Sequence, residues 1–170
     1  MLRVGLLSVL LTSSVARPVM AQAGSASALD SVRVAVHPFC QVRRCPPYFM
    51  VLRANGELTL AQDSAHTSIQ LADSTVAHLL AIVHPVMRST LPARIADSRM
   101  LCNMVMTHQG EVIVELYAGA AMKRIVDSHV CQDMGDNSKD VEGWIPVLRR
   151  LRAFEAELQA LPRVLGWLKR

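Results

Sequence analysis

Twelve uncharged residues, 4–15, one Gly and otherwise apolar, Ser or Thr, form a run directly behind a single positive charge, Arg3. A helix that spans a bilayer needs about 20 such residues, so this run is too short to be an anchor. It has the proportions of the apolar core of a secretory leader. Arg17 and Pro18 end the run, and Val19, Met20, Ala21, Gln22 and Ala23 follow. The shallow pockets of signal peptidase need small side chains at −3 and −1 of the cut. Ala21 and Ala23 supply them for cleavage after Ala23, and Val19 and Ala21 for cleavage after Ala21. No cysteine lies near the cut to carry a lipid. The expectation is a leader over residues 1–23 and export to the periplasm or beyond the cell. No later stretch reaches 18 apolar residues, so no transmembrane segment is expected after cleavage.

That placement decides how the cysteines are read. Cys40, Cys45, Cys102 and Cys131 all follow the leader, and in an oxidising compartment an even count favours disulfides. Four cysteines allow three pairings. The preferred one is Cys40–Cys45, closing a tight loop before Pro46 and Pro47, with Cys102–Cys131 tying two later segments together. Longer loops gain more from closure, about 3 kcal/mol for 15 residues, so the second bridge matters more for stability. Two sharper readings compete. Zinc held by His37, Cys40, Cys45 and His129 would lack the second close ligand pair usual in such sites. A redox-active dithiol normally has two intervening residues at a helix N-terminus, whereas four separate Cys40 from Cys45 ahead of a strand. Neither a metal nor another cofactor is expected.

Removing residues 1–23 from 170 leaves 147, enough for one domain with a real core. The leader takes Arg3 and Arg17 with it and no acid, so 16 basic and 14 acidic residues remain, a net charge of +2. That balance is too weak to argue for nucleic acid or an anionic membrane. Two Tyr, three Phe and two Trp are too few for a base-stacking platform.

Residues 24–31 read as a flexible lead-in. Val32, Val34 and Val36 alternate with Arg33 and Ala35, the period of a half-buried strand. Residues 48–53 make a second strand. Asn55-Gly56 signals a type I′ hairpin turn into residues 57–60, and residues 68–71 add a further strand. Asp73 is placed as the N-cap of a helix over 74–84, with Val76, Leu79, Leu80 and Val83 at helical spacing and Pro85 ending or kinking it. Residues 88–99 read as a surface loop. Residues 101–106 and 112–117 are expected to pair around His108-Gln109-Gly110, with a further strand over 122–130. A long helix is expected over 141–161. Its apolar stripe is Val147, Leu148, Leu151, Phe154, Leu158 and Leu161, while Arg149, Arg150, Arg152, Glu155 and Glu157 face water. Pro146 suits its first turn. The class is α+β: an antiparallel sheet built from two hairpin-strand-helix units, with two helices on one face, stapled by disulfides. The domain runs over 32–161, with a tail over 162–170.

One stretch carries a resemblance. A Cys, a short loop, Cys45-Pro46, Tyr48, then Gly56 and the strand 57–60 resemble the bacterial family called domain of unknown function 6438. The order of the later helix, hairpin and final helix extends the resemblance over about residues 32–161. The loop Gln41-Val42-Arg43-Arg44 departs from it, being one residue longer than usual and lacking Gly. The resemblance implies an exported α+β domain and carries over no catalytic residue.

Constellations for chemistry are scarce. His37, His66, His78, His84, His108 and His129 are scattered, and no pair has the helical spacing of a zinc protease. There is no Gly-x-Ser-x-Gly elbow and no Gly-rich phosphate loop. Asp133, Asp136, Asn137 and Asp140 around Gly135 lack the terminal Glu of a calcium loop, and a helix N-terminus accounts for their acidity. Arg149, Arg150 and Arg152 form a basic helix face able to grip an acidic partner. The expectation is a non-enzymatic exported binding or envelope-associated module. Its partner would be another extracytoplasmic protein, met through that basic face or a sheet edge. The alternative is a small hydrolase or thiol-redox protein whose site assembles from distant residues.

Overall fold

The computed structural model describes residues 28–39, 45–95, 104–105, 110–128, 131–133 and 143–164. The expected leader, the expected lead-in before residue 28, the acidic stretch over 134–140 and the end of the expected tail lie outside the described residues.

The alternating valines form the centre of the molecule. Strand β1 (Ser31–His37) pairs antiparallel with β2 (Tyr48–Arg53) on one side and β6 (Glu111–Ala118) on the other. Strands β3 (Glu57–Gln62) and β4 (Ala65–Gln70) extend the sheet beyond β2, and β7 (Ala121–Asp127) extends it beyond β6. The order is β4-β3-β2-β1-β6-β7, antiparallel throughout. Residues Met104–Val105 (β5) and Cys131–Asp133 (β8) form a separate two-stranded ladder.

Helix α1 (Asp73–Met87) follows β4, and α2 (Trp144–Val164) closes the fold. Successive strand residues point to opposite faces, so Val32, Val34, Val36, Met50, Leu52, Leu58, Leu60, Val112, Val114 and Leu116 share one face. They form one buried cluster with Leu79 and Val83 of α1 and Leu148, Leu151, Phe154 and Leu158 of α2. Both helices therefore cover a single face. The start of α1 lies beside the β2–β3 turn, where a side-chain carbon on Gly56 would sit 3.4 Å from Val76, and Ser89 just past its end meets Lys123 of β7. Fifteen helical residues span about 22 Å, close to the width of five strands, so α1 crosses the strands rather than following them. Helix α2 runs back alongside it: Trp144 Nε1 donates to Thr90 Oγ1 at 2.8 Å, and His78 Nε2 meets Glu157 Oε2 at 2.9 Å.

Several details differ from the reading of the chain. The first hairpin has a three-residue loop. Gly56 N–H donates to the Arg53 carbonyl, and only Gly56 has a positive φ, 87°. That is a type I turn closed by a glycine bulge, not a type I′ turn. Asn55 instead turns its side chain back, accepting from Glu57 N–H at 3.1 Å. The second long hairpin is β6–β7 around Gly119, not a pairing around Gly110. Gly110 has another task, since a side-chain carbon there would lie 2.8 Å from the His37 carbonyl oxygen. Of the stretch 101–106, the described Met104 and Val105 pair with β8 instead.

Helix α1 is capped by Ala72 without a side-chain bond and carries Pro85 inside its last turn. Burial of Val83 and Val86 on either side of Pro85 holds that turn in place. The segment 88–95 is no surface loop, because Leu91 and Ile95 are buried and Ala93–Ile95 docks along β7. Helix α2 starts at Trp144 and continues through Pro162. Among the described residues, no helix is long and apolar enough to cross a membrane.

Cys45 is not a free thiol. Cys40, Cys102 and the side chain of Cys131 lie outside the described residues, so the pairing of the four remains a proposal.

Candidate binding recess on the open sheet face

The face of the sheet opposite the helices carries Arg33, Ala35 and His37 from β1, Phe49 from β2, Ile113 and Glu115 from β6, and Arg124 from β7. These seven side chains line a recess of about 220 Å³. Its shape follows from register. Ala35 stands directly between Phe49 and Ile113 on the neighbouring strands, so a small side chain between two large ones leaves a dent. Arg33, Glu115 and Arg124 occupy one lateral row across β1, β6 and β7.

The charges in that row are unequal. Arg33 Nη1 lies 3.5 Å from one Glu115 oxygen, and Arg124 Nη1 lies 3.7 Å from the other. Tyr117 donates its hydroxyl to the same carboxylate at 3.0 Å. That bond to Glu115 raises the Tyr117 phenol above its ordinary pKa, with desolvation adding to the rise. Arg33 also lies over the Phe49 ring, 5.2 Å from its centroid, a cation–π contact. Elsewhere on this face the pairs are one to one: Arg53 with Glu57 at 2.7 Å and Arg94 with Glu111 at 3.3 Å. At Glu115 two guanidiniums share one carboxylate. One positive charge is left at the mouth of a recess whose floor is apolar.

The basic face expected on α2 is divided. Arg149 and Arg150 are exposed. Arg152 turns to the sheet, where Nε and Nη2 donate to the two Asp127 carboxylate oxygens at 2.7 and 3.1 Å. Glu155, also expected to face water, is 1% exposed. Both corrections have one cause. Residues 148, 151, 155 and 158 follow a three-four spacing, so Glu155 belongs to the inward stripe and Arg152 to its flank. Asp127 escaped the sequence reading because one acid at the end of a strand has no distinguishing pattern.

Other chemistry is thin among the described residues. No group of three or more His, Cys, Asp or Glu side chains there is placed to hold a metal. His37 lines the recess, while Cys40 and His129, its partners in the zinc alternative, lie outside the described residues. The distant Ser89 and Lys123 do meet, with Nζ donating to Ser89 Oγ at 3.0 Å and to the Ser89 carbonyl. Burial lowers the Lys123 pKa. The serine hydroxyl is committed to the Val86 carbonyl at 2.8 Å, and the lysine sits where cations commonly cap a helix C-terminus. A structural role accounts for the pair. A wider depression of about 420 Å³ beside α1, lined by Ala28, Leu29, Ala54, Ala77, Leu80, Ala81 and His84, is almost wholly apolar. The residues that matter on the open face were not singled out from the chain; the alternation of Arg33 with the valines and of Glu115 with Val114 and Leu116 was the available signal. The chain matches no protein-family model, and a search of curated proteins finds no match.

Proposed function

We propose that this protein is an exported, non-enzymatic binding module whose open sheet face receives an acidic side chain of another extracytoplasmic protein. The observation that carries this reading is the pair of guanidiniums sharing Glu115 over an apolar floor. Size argues for a side chain rather than a whole small molecule. Ligand pockets usually enclose about 300–1,000 Å³, and this recess holds about 220 Å³. A carboxylate entering it would displace Glu115 from neither arginine, since each guanidinium has donors to spare.

The test is a titration of the isotope-labelled mature chain with a synthetic peptide of alternating Glu and Phe, followed by amide shifts. Shifts should centre on Ala35, Phe49 and Ile113 and vanish with the Gln-for-Glu peptide. Arg33→Gln with Arg124→Gln should weaken binding roughly tenfold or more. Arg149→Glu with Arg150→Glu, on the helix side, should leave it unchanged. Shifts confined to α2, or binding that survives loss of both recess arginines, would remove the reading.

Export, disulfide stapling and membership of the family that residues 40–60 resemble belong to the same proposal. Cys45 not being a free thiol supports a bridge there. The ladder between β5 and β8 sets Val105, three residues on from Cys102 in the chain, opposite Cys131. Intact-mass spectrometry of protein taken from its native compartment should find a chain starting near Gly24 with two disulfides. Full-length chain with four reduced thiols would overturn it.

A further inference from the structure

The two edges of the main sheet are built differently. Strand β7 is guarded: it carries Lys123, Arg124 and Asp127, and Ala93–Ile95 runs along it through Ile95 N–H to Val126 O and Val126 N–H to Ala93 O, at 2.9 and 2.8 Å. Charges and a covering segment are the usual devices against edge pairing. Strand β4 has neither. Its six residues, Ala65 to Gln70, include no charge and no proline, and among the described residues nothing pairs with its outer side. None of the six is buried.

The hairpin fixes which backbone groups face outward. Gln62 and Ala65 flank a two-residue loop and bond to each other, so alternate residues 66, 68 and 70 turn their N–H and C=O away from β3. Around Ser68 the strand reads alike in both directions. Thr67 and Ile69 are β-branched, His66 and Gln70 are polar, and Ala65 and Leu71 are apolar.

We propose that two copies of this chain join β4 to β4 antiparallel, about a two-fold axis at Ser68. Ser68 then meets Ser68 of the second copy, His66 meets Gln70, Thr67 meets Ile69 and Ala65 meets Leu71. About six hydrogen bonds form, because each of the three outward pairs exchanges two. Like residue types meet on each face, and no like charges are opposed. Ile69 and Leu71, partly buried against the core of one copy, gain cover from the other. The two sheets become one of twelve strands. The acidic-ligand recess lies over β2, β1, β6 and β7, so either proposal can fail without the other.

Sedimentation equilibrium of the mature chain tests this. A concentration-dependent dimer is expected over about 1–200 μM, at the weak end of what interfaces of modest area give. Ser68→Lys and Ser68→Glu each place like charges on the axis and should weaken the dimer roughly tenfold or more. An equimolar mixture of the two variants should restore it as a heterodimer. Unchanged far-ultraviolet dichroism would show that both variants keep the fold. A wild-type chain that stays monomeric overturns the proposal, as does dimerisation indifferent to both charges or a mixture that fails to reassociate.

Discussion

Phe154→Ala is expected to lower the unfolding free energy by about 4 kcal/mol, the middle of the range for aromatic truncation in a core. Phe154 heads the largest fully buried side chains and stands among Leu148, Leu151 and Leu158 of α2, facing the sheet. Its removal loses the transfer energy of a ring and leaves a cavity that helices pinned at both ends cannot easily close. A domain of this size is stable by only about 5–15 kcal/mol, so this one change consumes a large share. Urea unfolding followed by tryptophan fluorescence would measure it, with an unchanged slope showing that the native state stays compact. Met122→Ala is the control, because that side chain is 56% exposed, and it should cost less than about 0.5 kcal/mol. A Phe154→Ala cost below about 1 kcal/mol would mean that α2 does not pack as described.

The second large effect is expected at Arg152. Arg152→Met should cost about 3 kcal/mol, the low end for removing one partner of a buried pair. Asp127 is 1% exposed, whereas Arg152 keeps 21% of its side-chain surface, so water reaching the arginine moderates the loss. The mutation deprives a desolvated carboxylate of a two-pronged donor. Exchanging both residues, Arg152→Met with Asp127→Leu, should recover much of that cost, since a shape-matched apolar pair needs no solvation. The Arg53–Glu57 bridge has the same 2.7 Å separation, yet its two side chains are 47% and 37% exposed. Arg53→Met should therefore cost at most about 1 kcal/mol. Raising salt to about 0.5 M should shrink the Arg53 effect and leave the Arg152 effect largely intact. Equal effects at the two sites would contradict the burial assigned to Asp127.

Legibility varied with the range of the interaction. The valine alternation in β1, the turn after β2 and the helical spacing of Val76, Leu79 and Val83 are local patterns, and each element formed where its pattern lay. Errors arose where a distant contact outweighed a local signal. Pro85 stays inside α1 because the core holds Val83 and Val86 on both sides of it. Leu91 and Ile95 look like isolated apolar residues in a polar stretch until β7 supplies the edge they dock against. Strand β6 had two possible hairpin partners, before and after it, and a glycine stood on each side, at 110 and 119. Gly119 supplies the positive φ of a turn, while Gly110 admits the close backbone of β1.

The recess shows the same division most plainly. That Arg33 and Glu115 would lie on a wetted sheet face followed from their neighbours, because alternation is a property of a few consecutive residues. That Arg33, Glu115 and Arg124 would share one row, with Phe49 and Ile113 walling Ala35, depended on which strands became adjacent and in what register. Strand adjacency is set by the summed packing of the whole core against α1 and α2, and a shift of one residue would turn each of these side chains to the other face. No short segment holds that information. The class of fold, its main periods and the position of the first turn were therefore present in the chain, whereas the choice of the second turn, the meeting of two arginines at one glutamate, and that of Arg152 with Asp127, came from long-range assembly.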